Sequence, residues 1–233
     1  METQLKPSTP VKSGLELDLI ADFTCPWSYL GKRRLEQALG SVYGAPVLAL
    51  RWHGLRVMNE GAAPTWKSYL AARLPGGTDL DVAEEALRNA GQALGIGFRF
   101  DRIERVPDTL EAHRLIRLAA GDAHKNDVAD AVFEAFFEHG RDIGDPMVLS
   151  EIGEIAGIAP EVVAAFADGR QGRDAVAGEE QRLRSLGVAA VPNLLINGHI
   201  LVPGPADVAT YVQAIDQALF PQLAAPAGRQ ALH

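Results

Sequence analysis

The stretch that decides the fold is LELDLIADFTCPWSYLGKRRLEQALG, residues 15–40. Its first nine residues alternate apolar and acidic side chains before becoming apolar, which is the pattern of a β-strand. Residues 27–39 then follow a helical pattern that Gly40 ends. Pro26 fits the first turn of that helix, where a missing N–H breaks no hydrogen bond. The segment therefore places Cys25 between the end of a strand and the start of a helix.

The segments that follow extend this opening into an α/β architecture. A second strand is predicted over residues 47–53, and the order strand, helix, strand usually forms a parallel, right-handed unit. From residue 65 to 186 the sequence carries helical patterns separated by Gly and Pro, with almost no strand signal. Thr78 and Asp81 resemble a capping box at the start of one of these helices. A block of five or six helices is therefore expected in the middle of the chain.

After the helical block the sequence returns to strands. Residues 193–196 and 199–202 flank Asn197-Gly198, a strong signal for a two-residue type I′ hairpin turn. A final amphipathic helix is predicted over residues 206–219.

These patterns divide the chain into two units. Residues 14–57 and 187–222 are expected to form one discontinuous domain with the strands. Residues 58–186 are expected to form a helical insertion subdomain. No internal repeat with a period of about 20–50 residues is visible, so the helices are not interpreted as repeated units.

Composition and charge exclude several classes of function. The 233 residues include 22 Lys and Arg, 30 Asp and Glu and one cysteine, for a net charge of −8, which argues against nucleic acid as a partner. One thiol can form neither an intramolecular disulfide nor a thiolate-rich zinc or iron–sulfur site. The N-terminal residues lack the apolar core of a secretory signal, and no stretch approaches about 18 uninterrupted apolar residues. We therefore expect a cytoplasmic protein with a reduced thiol and no membrane segment.

The position of Cys25 has a chemical consequence. The first turn of a helix carries partial positive charge and free N–H donors, which stabilise a thiolate. Thiols at such positions can have pKa values of about 3.5 to 7.5 instead of about 8.5, which makes them nucleophiles at neutral pH. The position therefore predicts a depressed pKa, and the alternative is that Cys25 is a small buried hydrophobic residue.

The six histidines do not have the spacing of a metal site. No two of them lie three or four residues apart, and neither HExxH nor facial-triad spacing occurs, so no metal is predicted. His113 lies on an apolar helical face and is interpreted as a core or boundary residue. His53 ends the second strand and could line a cleft there.

Five separated segments carry a common family pattern. They are FTCPWSYLG (23–31), Gly187-Val188, Val191-Pro192 running into LLING (194–198), PDTLEAHRL (107–115) and GRDIGD (140–145). Together they resemble the DsbA-like thioredoxin family, and more narrowly its FrnE-like, cytoplasmic branch. The resemblance covers most of the chain and implies a thioredoxin-like fold with a large all-helical insertion.

The resemblance also implies the parts of a site. It makes Cys25 the active-site cysteine and Pro192 a cis proline that faces it. In such folds the backbone of the residue before the cis proline, here Val191, pairs with a cysteine-containing substrate or with glutathione like an added strand. Pro26 and Trp27 complete this group, and the Trp27 side chain could form an apolar wall for a substrate.

Ser28 is where this chain departs from the dithiol members, which have a second cysteine three residues after the first. A hydroxyl cannot resolve a mixed disulfide, so autonomous disulfide donation is excluded. The kappa-class glutathione transferases and the 2-hydroxychromene-2-carboxylate isomerases share the architecture and carry a Ser-Pro-aromatic-Ser pattern, whose first serine engages the glutathione thiol. Ser28 therefore has two interpretations, a catalytic residue or a first-turn residue whose hydroxyl satisfies an N–H.

Asp207 is the remaining candidate for glutathione binding. It occupies the region where the transferase relatives bind the γ-glutamyl group of glutathione. The other interpretation is an acidic residue in the first turn of the last helix, where it complements the helix dipole.

The leading functional hypothesis is a DsbA-like thiol–disulfide oxidoreductase that works through one thiol. Cys25 and Ser28 would be its catalytic residues, and an external thiol such as glutathione would resolve the mixed disulfide as a co-substrate. No tightly bound cofactor is expected, and a homodimer is suggested by analogy with the relatives. The first alternative is a glutathione-dependent isomerase or transferase. The second is a non-catalytic thioredoxin-fold binding protein.

Overall fold

Four strands from the two ends of the chain form one mixed sheet, as seen in a computed structural model that describes residues 14–42, 47–57 and 63–221. The strands are β1 (Leu15–Ala21), β2 (Val47–Gly54), β3 (Asn193–Ile196) and β4 (Ile200–Pro203). Their order is β2-β1-β3-β4, with β1 parallel to β2 and antiparallel to β3. The predicted parallel opening and the predicted strands are confirmed, and β1 lies in the interior of the sheet.

Helices make up most of the remaining described residues. They are α1 (Pro26–Ser41), α2 (Trp66–Ala71), α3 (Leu80–Gln92), α4 (Leu110–Ile116), α5 (Gly121–Phe137), α6 (Pro146–Ile155), α7 (Pro160–Asp168), α8 (Arg173–Ser185) and α9 (Val208–Leu219). Helices α2 to α8 all fall between β2 and β3, so the predicted α/β class with a helical insertion is confirmed. The sequence patterns missed α2, which is only six residues long. In the described ranges, no helix is both long enough and apolar enough to cross a membrane.

Two of the predicted domain boundaries cannot be compared with the structure. The boundaries at residues 58 and 222 lie outside the described residues. The division of the chain into a discontinuous domain and a helical subdomain therefore stays a prediction.

The β3–β4 hairpin turns at Asn197 and Gly198. Both residues have positive φ, 51° and 75°, which is the requirement of the type I′ turn predicted from this dipeptide. The Asn197 side chain also accepts a hydrogen bond from the Glu16 N–H at 2.9 Å, so the turn is fastened to β1.

The start of α3 differs from the prediction. The carboxylate of Asp79 accepts hydrogen bonds from the N–H groups of Asp81 and Val82, so Asp79 caps the helix. The Thr78 hydroxyl donates instead to the Pro75 carbonyl at 2.7 Å. The capping box of Thr78 and Asp81 is therefore wrong by one residue, because Asp79 offers an acceptor closer to the free N–H groups.

A cluster of stacked aromatic rings joins the sheet to the helical block. Phe23 stacks on Trp52 of β2 with 4.9 Å between ring centroids, and Tyr29 of α1 stacks on Phe133 of α5 at 4.8 Å. Phe133 also contacts Phe23 and Trp52. Because Phe23 and Tyr29 flank Cys25, this cluster fixes the loop between β1 and α1 from both sides.

Loss of the Phe133 ring should therefore weaken the whole domain. We expect Phe133→Ala to lower the free energy of unfolding by about 3–5 kcal/mol, because the side chain is fully buried and leaves a cavity. The control is Val82→Ala, at an exposed position of α3, for which we expect a change within about 0.5 kcal/mol. Urea denaturation measures both, and equal losses for the two variants would contradict the central place of Phe133.

Candidate active site

Cys25 occupies the residue that precedes α1. Its N–H donates to the Asp22 carbonyl at 3.2 Å, and its own carbonyl accepts from the Ser28 N–H at 3.0 Å, which closes the first turn. Pro26 stands at the first helical position, as predicted. The residue is only 3% exposed. The sulfur is therefore held at a helix N-terminus but is largely withdrawn from water.

The loop before β3 faces this sulfur. The Val191–Pro192 peptide bond is cis, which confirms the expectation from the resemblance. The Cys25 S–H donates to the Val191 carbonyl, with 3.8 Å between Sγ and the oxygen. A methyl group on Gly31 would lie 3.3 Å from Pro192 Cγ, so the absence of a side chain there lets α1 approach the proline closely.

Ser28 lies in the first turn of α1 and is fully buried. Its hydroxyl accepts a hydrogen bond from the Asp22 N–H, at 3.4 Å, and its interaction with the thiol acts to lower the pKa of Cys25. The contacts thus match the interpretation in which Ser28 satisfies a backbone N–H, and they add a direct contact with the thiol.

The protonation state of Cys25 differs from the expectation. Burial raises the pKa of the Cys25 thiol to about 11, and the charge of Asp22 adds to this effect. Hydrogen bonds from Ser28 and from the Trp27 N–H act in the opposite direction but do not offset burial. The predicted depression of the pKa is therefore wrong, because removal of the sulfur from water outweighs the helix N-terminus.

A cleft of about 610 Å³ opens in front of Cys25. Trp27 and Val191 line it beside the sulfur, and three arginines, Arg56, Arg73 and Arg184, line its walls. The cleft is thus open and charged rather than an enclosed apolar pocket.

The three arginines differ in their partners. Arg56 binds Asp108 at 2.9 Å and Glu180 at 2.8 Å, and Arg184 binds the same Glu180 at 2.8 Å. The guanidinium of Arg73 lies 3.6 Å from the Tyr69 ring centroid and donates to backbone carbonyls. Among the described residues, no acidic side chain lies within 4 Å of the Arg73 guanidinium. Three positive charges against two paired carboxylates leave this cleft with an excess of positive charge.

Two sequence candidates lie away from the cleft. Asp207 caps α9, where its carboxylate accepts from the Thr210 N–H at 2.8 Å, and it does not line the cleft. His53 binds Asp18 at 2.9 Å and Glu179 at 2.7 Å, in a separate pocket beside β2. The prediction that His53 lines the cleft of Cys25 is therefore wrong, because Asp18 and Glu179 hold it in this other pocket.

Sequence reasoning missed Asp22, which lies three residues before Cys25. Its carboxylate is fully buried and accepts hydrogen bonds from Thr109 at 2.7 Å, the Val57 N–H at 2.8 Å, His113 at 3.3 Å and Thr24 at 3.3 Å. The available signal was an acidic residue at the apolar end of a buried strand, which requires partners. His113 is buried, as predicted. Within the described part of the chain, no group of three or more acidic, His or Cys side chains could hold a metal ion.

Comparison with known proteins agrees with this arrangement. Residues 16–216 match the family model described as a DSBA-like thioredoxin domain. The chain belongs to the DSBA-like thioredoxin family. The predicted thioredoxin-like fold is thereby confirmed.

Solved structures of the same fold cover most of the chain. A probable DsbA oxidoreductase from Streptomyces coelicolor is 26% identical, with a TM-score of 0.73 over 88% of this chain and 89% of that chain. A 2-hydroxychromene-2-carboxylate isomerase is 17% identical, with a TM-score of 0.62 over 89% of this chain and 98% of that chain. The cytosolic disulfide reductase DsbM from Pseudomonas aeruginosa, solved with glutathione, is 22% identical, with a TM-score of 0.53 over 89% and 98%.

Two of these similarities support the fold alone. At 17% and 22% identity, the isomerase and DsbM share the fold with this family member and nothing more follows from the likeness alone. No curated protein sequence matches the chain.

The contact between Ser28 and the sulfur predicts a change in thiol titration. In Ser28→Ala the thiolate loses a hydrogen bond worth about 1 kcal/mol, so the pH midpoint of Cys25 alkylation should rise by about one half to one unit. At a fixed pH below both midpoints, Ser28→Ala should be alkylated about three- to tenfold more slowly than the wild type. The rate of iodoacetamide reaction as a function of pH measures this.

The control for this experiment is Ser41→Ala at the other end of α1, where the hydroxyl donates to the Ala38 carbonyl. Its midpoint should equal that of the wild type. A midpoint for Ser28→Ala that is unchanged or lower would show that the Ser28 hydroxyl does not stabilise the thiolate.

Proposed function

We propose that this protein is a thiol–disulfide oxidoreductase that works through Cys25 alone, with glutathione as its co-substrate. The observation that carries the proposal is the position of the sulfur. Cys25 precedes α1, contacts the Val191 carbonyl and lies at the base of a charged, open cleft. Family membership supports oxidoreductase chemistry, and a chain with a single cysteine has only one sulfur for it.

The reaction would proceed in two exchanges. The Cys25 thiolate attacks one sulfur of a disulfide, forms a mixed disulfide with it, and releases the other sulfur as a thiolate. A glutathione thiolate then attacks the mixed disulfide on the substrate sulfur, which restores Cys25 and leaves the substrate joined to glutathione. Ser28 cannot take the place of glutathione, since an oxygen forms no disulfide. Its proposed part is to stabilise the Cys25 thiolate by a hydrogen bond.

Backbone groups beside Cys25 support the binding of a peptide-like substrate. The Val191 carbonyl accepts from the thiol, and the Val191 N–H has no acceptor among the described residues. An extended ligand could therefore pair with Val191 as an added strand. Pro26, Pro192 and Trp27 would form the walls around the reacting sulfurs.

The charge of the cleft supports glutathione as the partner. Glutathione carries two carboxylates and one ammonium group, so an excess of positive charge suits it. Arg73 is the arginine best suited to a ligand carboxylate, because it has no acidic partner among the described residues. The DsbM structure, which shares this fold, was solved with glutathione.

The compartment and the assembly are proposals of the same kind. A lone thiol that must stay reduced fits the cytoplasm, and DsbM is described as a cytosolic enzyme. We propose no tightly bound cofactor. Association into a homodimer stays a prediction from the resemblance, as does a role of Asp207 in binding glutathione.

A second function is favoured by the raised pKa of Cys25. A sulfur that stays protonated at neutral pH could donate its S–H to the sulfur of bound glutathione, which would lower the pKa of the glutathione thiol. Glutathione would then be the nucleophile toward a small electrophile, as in an isomerase or transferase. The open, charged cleft favours the first function, because a small apolar electrophile is bound best in an enclosed apolar pocket.

The two functions predict different masses after treatment with oxidised glutathione. Thiol exchange predicts one glutathione adduct per chain at Cys25, and none in Cys25→Ser. Because the thiolate is the reactive form, the rate of adduct formation should rise about tenfold per pH unit from neutral pH toward the raised pKa. Intact mass spectrometry of timed samples measures both the adduct and its rate.

The alternatives give other results in the same experiment. Absence of the adduct, with reduced glutathione bound by both the wild type and Cys25→Ser, would replace exchange by the isomerase or transferase function. Absence of both the adduct and glutathione binding would favour the remaining hypothesis, a non-catalytic binding protein. A rate that is flat above pH 7 would contradict the raised pKa.

The proposed role of Arg73 predicts a loss of glutathione affinity. Arg73→Gln should raise the dissociation constant of reduced glutathione by about 5- to 20-fold, because one charge-assisted hydrogen bond is lost. The control is Arg99→Gln, which removes an exposed arginine that pairs with Asp101 outside the cleft and should leave the affinity unchanged. Calorimetric titration measures both, and equal affinities for the wild type and Arg73→Gln would contradict the role.

A further inference from the structure

The proposed reaction leaves one buried ionisable group in the site unused, the Asp22 carboxylate. It is fully buried and accepts four hydrogen bonds, two on each oxygen. Burial opposes its ionisation, but the donors occupy the lone pairs of both oxygens, and the interactions with His113, together with the hydrogen bonds from Thr109 and Val57, lower the pKa of Asp22 below its ordinary value. Asp22 is therefore a carboxylate anion at neutral pH.

The donors around Asp22 do not neutralise this charge. The Trp52 indole N–H donates to Nδ1 of His113 at 3.4 Å, so Nδ1 is an acceptor and the ring proton lies on Nε2, which faces Asp22. The other donors are two hydroxyls and one backbone N–H. The anion is thus stabilised by dipoles, while its negative charge persists in the protein interior.

The same loop holds Asp22 and Cys25 at a fixed separation. The Cys25 N–H donates to the Asp22 carbonyl at 3.2 Å, and the Asp22 N–H donates to the Ser28 hydroxyl. Both side chains are buried, so water screens their interaction little. A thiolate at Cys25 would therefore be repelled by a charge that cannot move away.

Other polar and charged groups also face Asp22 and Cys25. From α2, the Tyr69 hydroxyl donates to Thr24, which in turn donates to Asp22. From the cleft side, Arg56, Arg73 and Arg184 supply positive charge, two of them already paired with acids. The negative charge of Asp22 thus lies inside the protein, where the dielectric constant is low, whereas these positive charges line the open cleft.

We propose that Asp22 is a positioning residue that holds Cys25 in its thiol form in the ligand-free protein and thereby protects it from oxidation. The protection has a chemical reason. A thiolate oxidised to a sulfenic acid is normally rescued by a neighbouring thiol, and further oxidation is irreversible. This chain has no second cysteine, so its sulfur has no internal rescue. A fixed anion slows the first oxidation step by keeping the thiolate scarce.

This inference goes beyond the proposed function, because it concerns the free protein and holds whichever sulfur is the nucleophile. Its test needs no turnover. The rate of Cys25 alkylation by iodoacetamide is measured against pH in the wild type, Asp22→Asn and Asp22→Ser. We expect the midpoint of both variants to fall by at least about one unit, with at least about tenfold faster alkylation at neutral pH. Hydrogen peroxide should then oxidise Cys25 faster in both variants.

Two controls separate charge from loosened structure. Asp18→Asn removes a carboxylate of β1 that binds Arg51 and His53, and its midpoint should equal that of the wild type. Thr109→Val removes a donor to Asp22 but keeps the charge, so it should lower the free energy of unfolding without lowering the midpoint.

Three results would overturn the inference. The first is a pH midpoint of Cys25 alkylation in the wild type at or below about 8.5, the ordinary thiol value. This result can be obtained even if no Asp22 variant folds. The second is an unchanged midpoint in whichever neutral Asp22 variant folds. The third is a midpoint in Thr109→Val as low as in the neutral variants, since that would assign the effect to structure rather than to charge.

Discussion

The arrangement of this site depends on the burial of one carboxylate. An ionised side chain cannot be removed from water without donors, so the Asp22 carboxylate requires that separate segments converge on it. Val57 follows β2, Thr109 precedes α4 and His113 lies within α4, and all three donate to Asp22. The sheet and the helical block are thus joined directly beneath the loop that carries Cys25.

That constraint also governs the chemistry of the sulfur. A helix N-terminus stabilises a thiolate by about 1 kcal/mol or less, to about 2 kcal/mol in favourable geometry, whereas burial of an ionisable group can shift a pKa by several units. Here burial is the larger effect, and Asp22 acts in the same direction. The surroundings of Cys25 therefore keep the thiolate a minor form of the residue at neutral pH.

The local features of the fold could be predicted from the sequence because neighbouring residues determine them. The junction at Cys25 follows from a strand pattern that meets Pro26, and the hairpin follows from Asn197-Gly198. The features that escaped prediction depend on distant residues or on close competition. Asp79 replaced Thr78 as a helix cap one position away, and three of the four partners of Asp22, Val57, Thr109 and His113, lie 35 to 91 residues along the chain. Burial of Cys25 likewise arises from the packing of the whole domain.

The most direct test of the account is the fate of a preformed mixed disulfide between Cys25 and glutathione. Reduced glutathione is added to this adduct, and the intact mass of the protein is followed with time. We predict complete return of the adduct to free Cys25, with one oxidised glutathione released per chain, at a rate proportional to the glutathione thiolate concentration. An adduct that persists in excess reduced glutathione would contradict the claim that one thiol and an external partner complete the reaction.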